Sequence, residues 1–277
     1  MIPRDIFRFI NELKGEDIEY LADRLEFRGK DPVFVKWLGD YLKKLHISSS
    51  SKVLDIGCGT GLVPRTIANL DSSTDEIIGI DQSPILTNIA KRLAIDEGLE
   101  KRMNFYLGDA HNLDFADSSF DVVTAHTLIS HVESPLLVIK EASRVTKPGG
   151  YMAFFDGDYA SLTFSYPDND IAEKMDKAMI NLIVNNPRIM RDFPRLLAEV
   201  NLPILEATAH VYSEVTEGSF FPGFYKTYAP MVRNSGLLSN DEVKHWVDGQ
   251  QDALNNGTFF ASCNYYTYIV RNDIAHN

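Results

Sequence analysis

Three glycines at alternate positions, Gly57, Gly59 and Gly61, close the run Val53-Leu54-Asp55-Ile56 and precede a helical pattern. Glycine tolerates positive φ and has no Cβ, so such a turn lets backbone N–H groups approach a ligand closely at a helix N-terminus. A second run, Ile77-Ile78-Gly79-Ile80, ends in Asp81. At the carboxyl edge of a parallel sheet, that carboxylate would face the two hydroxyls of a ribose. A glycine-rich strand-to-helix turn does not by itself name the ligand, because dinucleotide enzymes use one too. Further polar side chains follow on or after later apolar runs: Asp109, His126, His131, Asp156 and Asp158.

The remaining motifs extend the pattern. Gly108-Asp109-Ala110, Ser119-Phe120-Asp121-Val122-Val123 and Arg144-Val145-Thr146-Lys147-Pro148-Gly149-Gly150 come in that order. Together with the glycine turn and Asp81, the chain resembles the class I S-adenosylmethionine (SAM)-dependent methyltransferases over residues 50–158. In that family the three segments are the adenine-contacting turn, the fourth strand and the turn before the fifth strand. Within the family the chain looks like the broad group containing the ubiquinone/menaquinone-biosynthesis and natural-product methyltransferases. A nicotinamide-binding domain reads G-x-G-x-x-G after its first strand. Here Gly61 is followed by Leu62-Val63, so the last glycine of that fingerprint is missing.

The resemblance implies an α/β fold. Its form is a Rossmann-like, doubly wound, seven-stranded and mostly parallel sheet with an antiparallel edge strand and a helical cap. It also implies site roles. Backbone at Gly57, Cys58 and Gly59 would contact the methionine and ribose parts of SAM, with Asp55 near the methionine amino group. Asp81 would bind the ribose hydroxyls and Gln82 would lie beside the adenine. Asp109 would accept from the adenine amino group while the Ala110 N–H donates to the ring, and His126 would offer its carbonyl to the methionine amino group. Arg28, in a helix-like stretch with Arg24, would grip the methionine carboxylate with two bonds, as an N-terminal arginine does in some small-molecule members. S-adenosylhomocysteine would be the product. The bland alternatives are a helix-capping Asp81, a solvated Arg28 and a Cys58 chosen only for its small size.

Methyl transfer from a sulfonium is an in-line displacement, so positioning and exclusion of water are most of the protein's task. An oxygen or nitrogen acceptor must lose a proton, and histidine suits that near neutral pH. His131, in the loop after the fourth strand, is the candidate base, with Asp156 and Asp158 beside it at the end of the fifth strand. A locally satisfied loop histidine and two structural carboxylates are the competing reading. Oxygen ligands there could hold Mg²⁺, but the acidic pair with a nearby Asn found in catechol-type enzymes is not evident, so no metal is expected. Phe220, Phe221, Phe224, Tyr225 and Tyr228, with Met175, Met179, Ile180 and Ile183, would line either a core or an apolar substrate pocket. The expected reaction is O- or N-methylation of a small, partly apolar molecule. The rivals are a SAM-supported cyclisation, a non-catalytic SAM-binding module and a nicotinamide oxidoreductase.

With 277 residues, 44% of them hydrophobic and 24% charged, the chain reads as an ordinary globule. Its net charge of −12 disfavours nucleic acid and anionic membranes, since no large basic surface is available for phosphates. Two distant cysteines, Cys58 and Cys263, fit a reduced cytoplasmic setting. No membrane span or signal pattern is expected, and the assembly is expected to be a monomer or a homodimer.

Those residues require particular elements beneath them. Residues 1–46 read as helical, with Ile2, Ile6, Phe9, Ile10 and Leu13 recurring on one side, followed by a polar linker at 48–51. A SAM-binding core spans 47–158: strands 53–57, 77–81, 103–107, 120–125 and 151–157 alternate with helices 61–70, 84–97 and 135–145, the signature of a parallel sheet. Beyond residue 158 the alternation breaks, and 159–277 reads as the last sheet strands with inserted helices. Helices are expected at 168–185, 192–200 and 239–255, and strands at 205–215 and 258–271. Segments 1–46, 159–200 and 216–257 are expected to cap the cofactor site, because a structureless stretch of that length is improbable in a compact domain.

Overall fold

The strand signals map onto one sheet. The computed structural model describes residues 5–70 and 76–273, so Ile2 of the expected N-terminal pattern lies outside the described residues. In chain order the elements are α1 (Gly15–Gly29), α2 (Pro32–Leu42), β1 (Lys52–Ile56), α3 (Leu62–Leu70), β2 (Glu76–Asp81), α4 (Pro84–Asp96) and β3 (Met103–Leu107). There follow β4 (Phe120–His126), α5 (Pro135–Val145), β5 (Thr146–Phe164), α6 (Asn169–Ile183), α7 (Ile189–Glu199) and β6 (Ile204–Thr216). The last are α8 (Phe220–Ser235), α9 (Asn240–Asn255) and β7 (Phe259–Arg271).

Among the described residues, seven strands form one sheet in the order β3-β2-β1-β4-β5-β7-β6. The first five pair in parallel, while β7 runs antiparallel to both β5 and β6, placing the antiparallel strand one position in from the edge. The strand order reverses between β1 and β4, which opens a crevice at their carboxyl ends. Strand side chains alternate between two layers. Val53, Ile77, Val122, Phe155 and Ile269 pack with α2, α3, α6, α8 and α9, whereas Leu54, Ile80, Val123, Phe154 and Val270 pack with α5 and α7.

Helix starts follow local chemistry. Asp31 and Ser83 each precede a proline at the first helical position and accept from backbone N–H groups one turn on, Val33 at 2.8 Å and Leu86 at 3.3 Å. Ser239 and Glu242 form a reciprocal capping box on α9.

Three expectations need correction. The break expected after residue 158 falls inside β5, which shifts register between Asp158 and Thr163 and continues to Phe164. The shift lets the strand bend and keep pairing with β7, so the carboxylates expected at its end stand in its middle. Segment 159–200 is also not one cap: α6 packs on α8 and α9, but α7 lies on the opposite face with Phe193 against Phe154 and Tyr268. Finally, residues 220–235 form a full helix that the sequence conceals, because Pro222, Gly223 and Pro230 interrupt its pattern. No helix among the described residues is long and apolar enough to cross a membrane.

Trp246 anchors the cap: it is fully buried, edge-on to Phe164 at 5.2 Å and to Tyr225 at 5.5 Å. Trp246→Ala is expected to lower unfolding free energy by about 3–5 kcal/mol in a denaturant titration. Lys244→Ala, which removes an exposed pair with Asp248 one turn away, should change it by less than about 1 kcal/mol.

Candidate functional site

A cavity of about 760 Å³ opens at the carboxyl ends of β1, β2 and β4. Its floor is the turn after β1. Gly57 takes φ 70°, which favours glycine, and a Cβ there would lie 2.6 Å from the Leu128 side chain, which would have to shift. The turn is fastened on both sides: Cys58 N–H donates to the Ile80 carbonyl at 2.8 Å, and Gly59 N–H donates to Asp81 Oδ2 at 2.9 Å. Burial, with Asp81 and Asp55 nearby, pushes the Cys58 thiol well above its usual range, so it packs as a neutral group.

Asp81 also accepts from Ser83 N–H at 2.9 Å through Oδ1. Burial raises its pKa, and the backbone donors from Ser83 and Gly59 limit that rise. Asp55 lies deeper, accepting from Thr124 Oγ1 at 2.6 Å, and burial pushes it up to about 7. Asp109 and Ala110 line the far end of the cavity. Burial favours a neutral Asp109, but the His111 N–H at 2.9 Å and its ring Nδ1 at 2.8 Å outweigh this and hold the carboxyl below its ordinary value. Gln82 borders the cavity as well, but its side chain donates to the Phe7 carbonyl at 2.9 Å and so fastens the N-terminal segment over the site.

The wall after β4 is built from His126 and Thr127. His126 stacks on Phe155 with ring centroids 4.5 Å apart, and its Nδ1 lies 2.9 Å from the Tyr41 hydroxyl. Burial, reinforced by Arg28, keeps this imidazole neutral. Arg28 reaches the same wall from α1, donating to Thr127 Oγ1 at 2.8 Å, while its Nε is buried without a partner.

His131 faces the cavity from the loop 127–131. Its Nδ1 sits 3.0 Å from both oxygens of Asp5, a buried carboxylate that also accepts from Phe7 N–H, Arg8 N–H and Asn185 N–H. Burial alone would depress this histidine, but the Asp5 charge and hydrogen bond prevail and raise its pKa above the usual value. With Nδ1 engaged by the carboxylate, Nε2 is the ring nitrogen left for the cavity.

The two carboxylates expected beside His131 do not join it at the cavity. Asp156 is fully buried beneath the loop, accepting from Ser130 N–H at 2.8 Å, Ser130 Oγ at 3.1 Å and Gly157 N–H at 2.8 Å. Asp158 points to the α7 side and pairs with Arg191, whose Nε lies 2.8 Å and 2.9 Å from its oxygens. The alternation of side chains along β5, with the register shift that follows, turns both away from the cavity. Asp156 holds the His131 loop and Asp158 holds α7. Among the described residues, no group of three or more His, Cys, Asp or Glu converges as metal ligands would.

Of the cap aromatics, Phe220, Phe224 and Tyr228 line the cavity, whereas Phe221 and Tyr225 turn toward Phe164 and belong to the core. Ile183 reaches the cavity, and Met175 and Met179 are buried in the core beneath it. Asp5, His111 and Tyr265 complete the surroundings of the site and were not anticipated. His111 had a usable local signal, two positions after Asp109. Asp5 lies 126 positions from its partner His131 and had none.

The site accommodates an adenosyl group with an aminoacyl tail. The turn approaches with bare backbone, the Asp81 oxygens border the cavity, and Arg28 carries an unpaired buried donor. Comparison with known proteins points the same way. A methyltransferase domain model matches residues 54–154. Methyltransferase GfsG of Streptomyces halstedii is 30% identical over 208 residues, covering 74% of this chain and 71% of that protein. The chain spans about half to two thirds of the length of other curated relatives it matches. A solved structure from Bacillus halodurans described as a candidate methyltransferase superposes with TM-score 0.60 at 16% identity, covering 86% of this chain and 99% of that one. The [4+2]-cyclase SpnF superposes with TM-score 0.57 at 20% identity, covering 87% and 82%. These two structural likenesses establish a shared fold. Glycine turn, the acid at the end of β2, fold and sequence kinship agree: the chain belongs to the class I SAM-dependent methyltransferases.

Proposed function

We propose that this protein transfers a methyl group from SAM to an oxygen or nitrogen of a small, partly apolar molecule, with His131 as the general base. Bound SAM supplies an electrophilic methyl on its sulfonium. The chain's part is to orient both reactants, keep out water and take up the proton. In this reading Asp81 holds the ribose hydroxyls, Asp109 and Ala110 the adenine, Asp55 and the His126 carbonyl the methionine amino group, and Arg28 the methionine carboxylate. The observation that carries it is the His131–Asp5 pair opening on the same cavity as the glycine turn, with Phe7, Leu21, Phe220 and Phe224 as apolar lining. Asp5 fixes the ring so that Nε2 can receive the acceptor's proton, as a carboxylate does for a base histidine elsewhere. Cyclisation without methyl transfer, the reaction named for one fold neighbour, is the second reading. Release of S-adenosylhomocysteine in step with product separates the two.

Three outcomes are expected. His131→Ala should lower kcat by roughly 10²–10⁴-fold while leaving S-adenosylhomocysteine binding near wild type; equal turnover on the true acceptor refutes the base assignment. The active form is the neutral ring, so activity rises with pH through the raised His131 pKa. Asp5→Asn removes the carboxylate that stabilises the imidazolium, so the acidic limb of the pH–kcat profile should move to lower pH.

Calorimetry tests the cofactor roles. Arg28→Ala should weaken S-adenosylhomocysteine binding about tenfold, the loss of one charge-assisted bidentate contact. In the wild type that affinity should weaken as pH falls below about 7, where Asp55 takes up a proton and no longer faces the ammonium as an anion. Asp55→Asn should flatten that dependence, and a pH-independent wild-type affinity would count against the Asp55 role.

A further inference from the structure

Arg24 and Arg28 stand one turn apart on α1 and both line the cavity, yet neither has a carboxylate partner among the described residues. Arg92, Arg188 and Arg233 also lack one, but they stand exposed to solvent, whereas Arg24 and Arg28 are half-buried in a chain whose acids outnumber its bases by 12. Several other arginines are paired: Arg8 with Glu133, Arg65 with Glu26 and Glu97, Arg144 with Glu141 and Asp117, Arg191 with Asp158. The two free guanidinium groups face different neighbours. Arg28 leans toward Thr127 and the glycine turn, the end read above as the methionine pocket. Arg24 lies against α8, its Nη2 3.5 Å from the Phe220 carbonyl.

The α8 backbone is shaped around that guanidinium. A Cβ on Gly223 would lie 2.2 Å from Arg24 Nη1, so the bare glycine is what lets the side chain lie against the helix. Burial without a counter-ion disfavours the charged state and lowers the Arg24 pKa, although the group remains cationic at neutral pH. Around it the cavity offers neutral donors. Tyr159, Tyr228 and Tyr265 all line the cavity. Burial keeps the Tyr228 phenol protonated, and it interacts electrostatically with both arginines. The carboxylates Asp55, Asp81 and Asp109 lie on the glycine-turn side, and Asp5 is committed to His131. The cap side of the cavity is therefore positive and rich in O–H donors. A half-buried cation without a partner is costly and is matched by an incoming anion.

We propose that the methyl acceptor carries a carboxylate or similar anionic group, bound by Arg24 between α1 and α8. This rests on the methyl-transfer reading and adds the charge class of the acceptor. A fork of guanidinium donors with a phenol beside it suits a planar carboxylate, held bidentately while the rest of the molecule extends toward the apolar lining and His131.

The test separates a small-molecule extract of the source organism by ion exchange into anionic, neutral and cationic pools. Each pool is then incubated with the full-length protein and SAM labelled in its methyl group. Label transferred mainly from the anionic pool is the expected result, and label mainly from the neutral or cationic pool overturns the proposal. On the anionic pool Arg24→Gln should lower transfer at limiting acceptor at least tenfold, with Arg24→Lys recovering part of it. S-adenosylhomocysteine affinity of Arg24→Gln should stay within about twofold of wild type. Unchanged transfer in Arg24→Gln, or a cofactor affinity weakened as far as in Arg28→Ala, overturns the assignment. Absence of label from every pool, with the homocysteine product still bound, instead defeats the methyl-transfer reading, and this proposal with it.

Discussion

The half-buried carboxylate of Asp81 is the constraint around which the site is organised. It accepts from Gly59 N–H in the turn after β1 and from Ser83 N–H at the start of α4. One side chain therefore sets the separation between two adjacent strand ends and the helix that follows. A carboxylate withdrawn this far from water needs such donors, since burial without them is unfavourable. The arrangement also leaves its oxygens at the cavity. The same geometry that satisfies the acid presents it to a ligand.

A second acid, the buried Asp5, does for the cap what Asp81 does for the floor. It gathers N–H donors from Phe7, Arg8 and Asn185 together with His131 Nδ1. The surrounding turns are stitched to one another: Asn185 and Asn186 both donate to the Val132 carbonyl, and Asn186 N–H donates to Ser130. Asp156 clamps Ser130 from below. His131 is thus held by the N-terminal segment, the α6–α7 connection and β5 at once, and its orientation depends on all three being in place.

Charge is unevenly placed across the cavity. Asp55, Asp81 and Asp109 line it beside the glycine turn, with Arg28 reaching Thr127 at that end, while Arg24 lies against α8. A chain with so many acids leaves those arginines unpaired only because the fold keeps its acids on other surfaces or in other contacts.

Much of the core was legible in the sequence because its signals are local. The glycine turn, the acid at the end of β2 and the run Lys147-Pro148-Gly149-Gly150 are each carried by a few neighbouring residues. They report backbone conformation directly, and the strand and helix order up to residue 145 followed from them. Helix α8 was hidden because prolines and glycines that its packing tolerates are read locally as breakers. Asp156 and Asp158 were misplaced because the length of β5 is decided by pairing with β7, more than a hundred positions away. The partnership of His131 with Asp5, and the freedom of Arg24, belong to the same class. What the sequence determined by itself was the backbone of the glycine turn and of the strand ends beside it, since short-range sterics and hydrogen bonding dictate it. Which distant side chains meet above that backbone, and which charges find no partner, was decided only when the chain packed, because those contacts are set by the burial of whole faces.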